Sequence, residues 1–112
     1  MSDCLFCRIV RREIPSKAVY EDERIYAFDD IAPKAPTHIL VIPRRHIARL
    51  SESSLEDASL IGELAARAAS IAREKGLEDY RLVLNNGEGA GQSVFHIHFH
   101  LLAGRRFRWP PG

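Results

Sequence analysis

The sequence predicts an α+β fold, with a mainly antiparallel sheet of about five strands, one long helix and a short N-terminal helix. One apolar stripe with helical periodicity lies between residues 53 and 76. Short runs rich in β-branched residues lie on both sides of it, without the regular strand–helix alternation that a parallel sheet requires. The 112 residues are 46% hydrophobic and 28% charged, which predicts one globular domain over residues 1–112.

The first elements of the chain are predicted to be a short helix and three strands. A helix over residues 5–11 has its apolar residues on one side. The apolar runs 18–20 and 25–28, separated by four charged residues, predict a hairpin. A third strand over residues 37–42 lies between two prolines and is rich in β-branched residues.

The long helix is predicted from its cap, its stripe and its end. Ser53 and Glu56 form the Ser-x-x-Glu pattern of a capping box. Gly76 is a plausible stop. The residues expected to face the sheet recur at helical spacing: Leu60, Ile61, Leu64, Ala65, Ala68, Ile71 and Ala72.

A strand and a glycine-rich loop follow the long helix. Residues 80–84 predict the strand, and residues 85–91 contain three glycines at alternate positions. The backbone N–H groups of this loop, the Asn85 amide and the Ser93 hydroxyl are expected to converge near the segment that follows. Such an arrangement suits an anionic group such as phosphate.

The last predicted strand, residues 94–102, carries three histidines at alternate positions. His96, His98 and His100 would lie on one face, roughly 6.5–7 Å from one to the next. A neutral imidazole is both a nucleophile and a metal ligand, so this row indicates chemistry. The opposite face would be buried by Phe95, Ile97, Phe99 and Leu101.

The two cysteines, Cys4 and Cys7, are three residues apart. In a reducing compartment this spacing indicates a metal half-site or a redox pair rather than a structural disulfide. The surrounding sequence lacks the βαβ pattern in which a thioredoxin-like pair lies. Metal ligation is therefore favoured, provided that two further ligands exist.

Composition argues against several other classes of protein. The net charge is +1, and the basic residues 105–108 are too few to predict a nucleic-acid surface. No apolar stretch approaches the roughly 18 residues of a membrane span. The segment Met1–Cys4 lacks the features of a signal peptide, so we expect a cytoplasmic protein without nucleic-acid or membrane partners.

Residues 91–102, Gly-Gln-Ser-Val-Phe-His-Ile-His-Phe-His-Leu-Leu, resemble the His-x-His-x-His motif of the histidine triad (HIT) nucleotide-binding family. The resemblance is closest to its Hint branch, also called protein kinase C inhibitor-like proteins. It covers nearly the whole chain through further segments: Glu13-Ile14-Pro15, Phe28-Asp29-Asp30-Ile31, Ala35-Pro36-Thr37-His38, Val41-Ile42-Pro43 and Trp109-Pro110-Pro111-Gly112. It implies the HIT-like fold.

The resemblance also implies an enzyme, a purine nucleoside phosphoramidase or nucleotidyl hydrolase. Its substrates would be adenosine or guanosine monophosphate linked to an amine such as lysine, or aminoacyl-adenylates. His98 would be the nucleophile that attacks the α-phosphorus, which gives a nucleotidyl-histidine intermediate that water hydrolyses. His100 would bind phosphate oxygens, Ser93 would help the leaving group depart, and His38 would support the triad by hydrogen bonding.

The remaining roles are implied by the same resemblance. Asp30 would bind the ribose hydroxyls, while Asn85 and Gln92 would steady the phosphate and leaving group. The base would lie between apolar side chains: Leu5, Phe6, Ile9, Phe28 and Ile31. The full expected nucleotide site is Leu5, Phe6, Ile9, Phe28, Asp30, Ile31, Asn85, Gly91, Gln92, Ser93, Val94, His98, His100 and Trp109.

Metal and subunit partners are implied as well. Many bacterial relatives hold a structural zinc with two cysteines and two histidines, and the matching positions here are Cys4, Cys7, His46 and His96. No catalytic metal is expected. The ending at Trp109 implies a homodimer in which each tail reaches toward the partner's active site, with the long helix and a strand edge in the interface.

Two alternatives stay open on the sequence. A nucleotide-binding regulatory or adaptor module could carry the same motif with only incidental turnover. A metallohydrolase could use the three histidines to bind a catalytic metal. Base preference, leaving group and physiological substrate are not predicted by the sequence.

Overall fold

The computed structural model describes residues 4–112, so the argument against a signal peptide rests partly on residues outside the described part. The chain forms two helices and five strands over those residues, in this order: α1 (Leu5–Val10), β1 (Ala18–Glu21), β2 (Ile25–Asp29), β3 (Thr37–Pro43), α2 (Ala58–Glu74), β4 (Tyr80–Leu84) and β5 (Phe99–Ala103). Within this part of the chain, no helix has both the length and the apolar character needed to cross a membrane.

The five strands form one antiparallel sheet in the order β1-β2-β3-β5-β4. The chain crosses over once, since α2 connects the central strand β3 to the edge strand β4, and β5 then inserts between them. The predicted α+β class, the strand number and both helices are confirmed. β4 has the predicted bounds.

Each face of the sheet is covered by one helix. Alternate residues of β2 point to opposite faces, which is why nearly the whole strand is buried. The face under α2 forms the larger core: Ile25, Ala27, Ile39, Val41, Leu64, Ala68, Ile71, Ala72, Phe99 and Leu101. The face under α1 forms a smaller one: Phe6, Ile9, Tyr26, Phe28, Leu40 and Ile42.

The cap of the long helix differs from the prediction by one residue. Ser54, not Ser53, accepts a hydrogen bond from the Glu56 N–H at 3.2 Å, and its own N–H donates to the Asp57 carboxylate at 2.9 Å. The hydroxyl of Ser53 instead donates to the Leu50 carbonyl at 2.6 Å. Both serines have an acidic residue three positions on, so the pattern alone does not separate them. A single 3₁₀ turn follows the cap before α2 begins.

The last strand is shorter than predicted. β5 begins at Phe99. Residues 94–98 are irregular, because their backbone forms a hydrogen bond to a segment outside the sheet. The Ile97 N–H donates to the Ile47 carbonyl at 2.7 Å, away from the sheet. Phe95 is 37% exposed with the Arg49 guanidinium over its ring, so its predicted burial is wrong. The three histidines consequently do not share one strand face.

Candidate active site

His98 lies immediately before β5 with its ring fixed by a backbone carbonyl. Its Nδ1 is 2.7 Å from the backbone oxygen of His96. Because a carbonyl oxygen only accepts, Nδ1 carries the proton and Nε2 of the neutral ring keeps its lone pair. Burial lowers the pKa of His98 below its ordinary value. The side chain is 5% exposed and lines a cleft, in the neutral state that a histidine nucleophile needs.

A chain of hydrogen bonds fixes the neighbouring ring of His100. The Lys34 N–H donates to Nδ1 of His38 at 3.0 Å, so Nε2 of His38 carries the proton. That Nε2–H donates to Nδ1 of His100 at 2.9 Å, which leaves the proton of His100 on its Nε2. Burial lowers the pKa of His38 and lowers that of His100 to about 4, so both rings are neutral near pH 7. The rings of His98 and His100 are 4.9 Å apart between centres.

Asp30, in the turn after β2, adds a carboxylate to the same cleft. One oxygen accepts the Ala32 N–H at 2.8 Å, and the other lies 3.4 Å from Nε2 of His38. Asp30, His38 and His100 are close enough to be considered as metal ligands. However, Nδ1 of His38 already accepts a backbone hydrogen, so its Nε2 could ligate an ion only as an imidazolate. Within Asp30, His38 and His100, the geometry therefore favours the hydrogen-bond chain over a bound metal ion.

The cleft encloses about 230 Å³ between α1, the turn after β2 and the histidines. Phe6 meets Phe28 edge-on at 5.5 Å and His98 at 5.1 Å between ring centres. Leu5 and Ile31 are 44% and 96% exposed, which leaves apolar surface in water at the cleft. One part of the cleft therefore suits a flat apolar ring, while the histidines suit an anion.

Most of the residues predicted to contact a nucleotide line this cleft. The predicted residues that line it are Leu5, Phe6, Ile9, Phe28, Asp30, Ile31, Ser93, Val94, His98 and His100. Asn85 and Gly91 lie side by side outside that lining, since a Cβ on Gly91 would be 3.6 Å from the Asn85 amide nitrogen. Trp109 is 82% exposed and does not line the cleft of its own chain, so its predicted contact depends on a second chain.

Cys4, Cys7, His46 and His96 form a second cluster behind the cleft, with one donor atom of each within 4.8 Å of the others. Nε2 of His96 donates to the Pro43 carbonyl at 2.7 Å, which leaves Nδ1 unprotonated toward the thiols. Contacts of 3.3–3.5 Å join Nδ1 of His96 to Cys4, Cys7 and His46. A tetrahedral zinc with bonds of about 2.0–2.3 Å has ligand–ligand edges of about 3.3–3.8 Å, so these donors fit zinc.

Comparison with known proteins identifies the family of this chain. The family description "HIT domain" matches residues 11–107. This chain belongs to the HIT family. It is 49% identical over 111 residues to a HIT-like protein of Synechocystis, covering 98% of this chain and 97% of that one. A HIT-like protein of Synechococcus elongatus is 51% identical over the same length, with the same coverage.

Solved HIT structures share the fold. A HIT family hydrolase from Legionella pneumophila is 49% identical, with a TM-score of 0.95, covering 98% of this chain and 100% of that one. A HIT family hydrolase from Clostridium thermocellum is 43% identical, with a TM-score of 0.93, covering 96% of both chains. The predicted resemblance to the HIT family is thereby confirmed.

The glycine-rich loop of this HIT chain differs from the prediction. The N–H groups of residues 90, 91 and 92 donate to carbonyls within the loop, and that of Gly87 donates to the Gln92 side chain at 2.8 Å. Gln92 is 2% exposed, and its NH₂ group donates to the carbonyls of Ala48 and Val94. These four amides are therefore not free for an anion, and the side chain of Gln92 holds the loop rather than the substrate.

Four residues of the HIT cleft are not among the predicted ones: Ile14, Pro15, Ser16 and Leu40. Leu40 could be found from register, because it pairs with His100 across β3 and β5. Lys34 and Pro43 act through their backbones on His38 and His96, so no side-chain pattern could indicate them.

Proposed function

We propose that this protein is a nucleotide hydrolase of the Hint type, cleaving purine nucleoside 5′-monophosphoramidates through a nucleotidyl-histidine on His98. The observation that supports it most is the ring of His98, with Nδ1–H on the His96 carbonyl and Nε2 unprotonated in the cleft. A nucleophile at phosphorus needs a free lone pair at neutral pH, and this contact supplies it.

Attack by Nε2 of His98 forms a phosphorus–nitrogen bond and breaks the bond to the leaving amine. The positive charge on the ring is stabilised because Nδ1–H still donates to the His96 carbonyl. The remaining N–H of His100 donates to a phosphate oxygen and offsets charge in the transition state. The leaving amine takes its proton from solvent. The exposed Ser93 hydroxyl donates a hydrogen bond to the leaving nitrogen.

Water completes the reaction. Its oxygen attacks phosphorus and gives up a proton to solvent, the bond to His98 breaks, and a nucleoside monophosphate leaves while the ring regains its lone pair. Ser93, which lines the cleft beside the histidines, is exposed, so water can reach the phosphorus from that side while the base occupies the rest of the cleft. Two displacements with a positioned nucleophile each have a lower barrier than direct hydrolysis.

The rest of the nucleotide follows the cleft. The base lies among the apolar residues of α1 and the turn after β2, with Phe6 and Phe28 providing aromatic contact. The ribose hydroxyls bind the Asp30 carboxylate, which is oriented by the Ala32 N–H. With the base and ribose in these positions, the phosphate would lie at His98 and His100.

We propose that the cluster of Cys4, Cys7, His46 and His96 holds a structural zinc. When bound, zinc supplies a closed tetrahedral link between four side chains. The link would fix α1, which begins at the Cys4 cap, against the segment that carries His98. No step at phosphorus requires it.

Steady-state hydrolysis of adenosine phosphoramidate by the wild type and by His98→Gln tests the proposed function. We expect AMP release by the wild type and a fall of at least about a thousandfold in the variant, since the nucleophile is lost. AMP binding by His98→Gln, measured by calorimetry, controls for folding. Equal turnover by the two proteins would exclude the assigned role of His98.

A further inference from the structure

We propose that Ser16 recognises the polar edge of the base and so sets which nucleotides bind well. This inference rests on the proposed function. Ser16 lines the cleft, and its hydroxyl lies 2.6 Å from the hydroxyl of Tyr26. Neither residue belongs to the predicted nucleotide site.

The sheet register places Ser16 at the end of the cleft remote from the histidines. His100 on β5 pairs with Leu40 on β3, and Leu40 pairs with Phe28 on β2. Phe28 pairs in turn with Ala18 on β1, two residues after Ser16. With about 4.8 Å between strands, this row spans about 14 Å from β5 to β1. A nucleotide whose phosphate lies at His100 therefore extends its base toward Ser16.

Ser16 is the polar side chain of the cleft that the phosphate and ribose contacts leave unused. The other polar side chains in the lining are Asp30, Ser93, His98 and His100, each with a role in the proposed reaction. The neighbours of Ser16 in the lining are Ile14 and Pro15, which offer only apolar side chains. A hydroxyl among apolar groups determines orientation and specificity more than its size suggests.

The hydrogen bond to Tyr26 fixes the position of the Ser16 hydroxyl. Tyr26 is 2% exposed, so its buried O–H needs a partner, and Ser16 is that partner. Either hydroxyl of this pair could donate; because the phenolic O–H is the more acidic, we infer that Tyr26 donates and Ser16 accepts. The Ser16 O–H and its second lone pair are then free for a base edge, which offers ring nitrogens and an exocyclic group. A ligand without such an edge offers no acceptor to the Ser16 O–H.

Calorimetric titration of Ser16→Ala with AMP and with ribose 5-phosphate tests this inference. We expect AMP to bind about five- to tenfold more weakly than to the wild type, the loss of one hydrogen bond. Ribose 5-phosphate, which has no base, should bind both proteins equally. Ser16→Thr keeps the hydroxyl and should keep most of the AMP affinity. Ser51→Ala, an exposed serine in the 3₁₀ turn Leu50–Glu52, is the matched control and should bind like the wild type.

The outcomes separate this inference from the function on which it rests. If the wild type binds neither AMP nor ribose 5-phosphate, the proposed function fails and this inference fails with it. If the wild type binds AMP and Ser16→Ala binds it equally well, only the role of Ser16 is overturned. Equal weakening of both ligands by Ser16→Ala also overturns it, because that result indicates a structural role.

Discussion

At the scale of single residues, His96 joins the two clusters of the protein. Its Nδ1 faces the thiols of Cys4 and Cys7, while its Nε2–H donates to Pro43. Its backbone oxygen accepts the Nδ1–H of His98. One residue thus contacts the candidate metal site by its side chain and fixes the candidate nucleophile by its backbone.

The hydrogen-bond chain through His38 predicts a kinetic effect without a binding effect. In His38→Leu, Nδ1 of His100 loses its donor, so the proton of His100 is no longer held on Nε2. We expect kcat to fall about tenfold, equivalent to about 1.4 kcal/mol in the barrier, with little change in AMP affinity. Rate measurements and AMP titration check this, with thermal unfolding as the control. An unchanged kcat would remove the chain from the mechanism.

The lowered pKa of His100 predicts a pH dependence of stability. Unfolded histidine titrates near 6.5, whereas burial lowers the pKa of His100 to about 4 in the fold. Between these values the unfolded chain binds the extra proton, so stability is present above pH 6.5 and is lost as pH falls toward 4. Since the side chain keeps some solvent contact, we expect a loss of about 1–2 kcal/mol from this residue. Urea unfolding between pH 7 and 4.5 should show a shallower decline in His100→Gln.

At the scale of elements, α1 depends on its contacts for stability. It has six residues, too few for a helix that is stable alone. Cys4 is its N-cap and accepts the Cys7 N–H at 3.4 Å, while Phe6 packs on Phe28 and His98. The cluster of Cys4, Cys7, His46 and His96 and the cleft therefore lie on opposite sides of one short helix.

Metal removal should affect stability more than chemistry. In Cys7→Ser, or after chelation, we expect loss of bound zinc, a lower unfolding temperature and weaker AMP binding, because α1 is released. Turnover should persist at saturating substrate, since no step needs the metal. Elemental analysis and thermal unfolding measure these effects. Asp30→Asn, in the other histidine cluster, is the control and should keep its zinc. Unchanged zinc content in Cys7→Ser would contradict the assigned ligands.

The elements that could be predicted are those set by local pattern. The apolar stripe of α2 and the bounds of β4 follow from periodicity. The start of β5 could not be predicted, because the Ile47 carbonyl draws the Ile97 N–H away from the sheet. The internal hydrogen bonding of the glycine-rich loop depends on the Gln92 side chain, which is held by the Ala48 carbonyl, 44 positions away in the sequence. Hydrogen bonds between residues this far apart in the sequence produce no local sequence pattern from which they could be predicted.

At the scale of the whole molecule, β4 is an edge strand whose second side has no partner within the described chain. Unpaired edge groups favour pairing with another strand. We propose that two copies associate through this edge and α2, which would bring the exposed Trp109 of one chain toward the cleft of the other. Light scattering should give a mass twice that of the chain, and Trp109→Ala should change the preference among leaving groups. A monomer at micromolar concentration would contradict the dimer.

The central claim is that His98 forms a covalent bond to the nucleotide phosphorus. An alkaline denaturing quench during turnover of adenosine phosphoramidate, followed by peptide mass spectrometry, tests it most directly, because the phosphorus–nitrogen bond of a nucleotidyl-histidine is stable in alkali and labile in acid. We predict an adenylyl group on the peptide that contains His98, absent from His98→Gln. Continued turnover by the wild type with no adduct on that ring, under quench conditions that preserve phosphohistidine, would contradict the account.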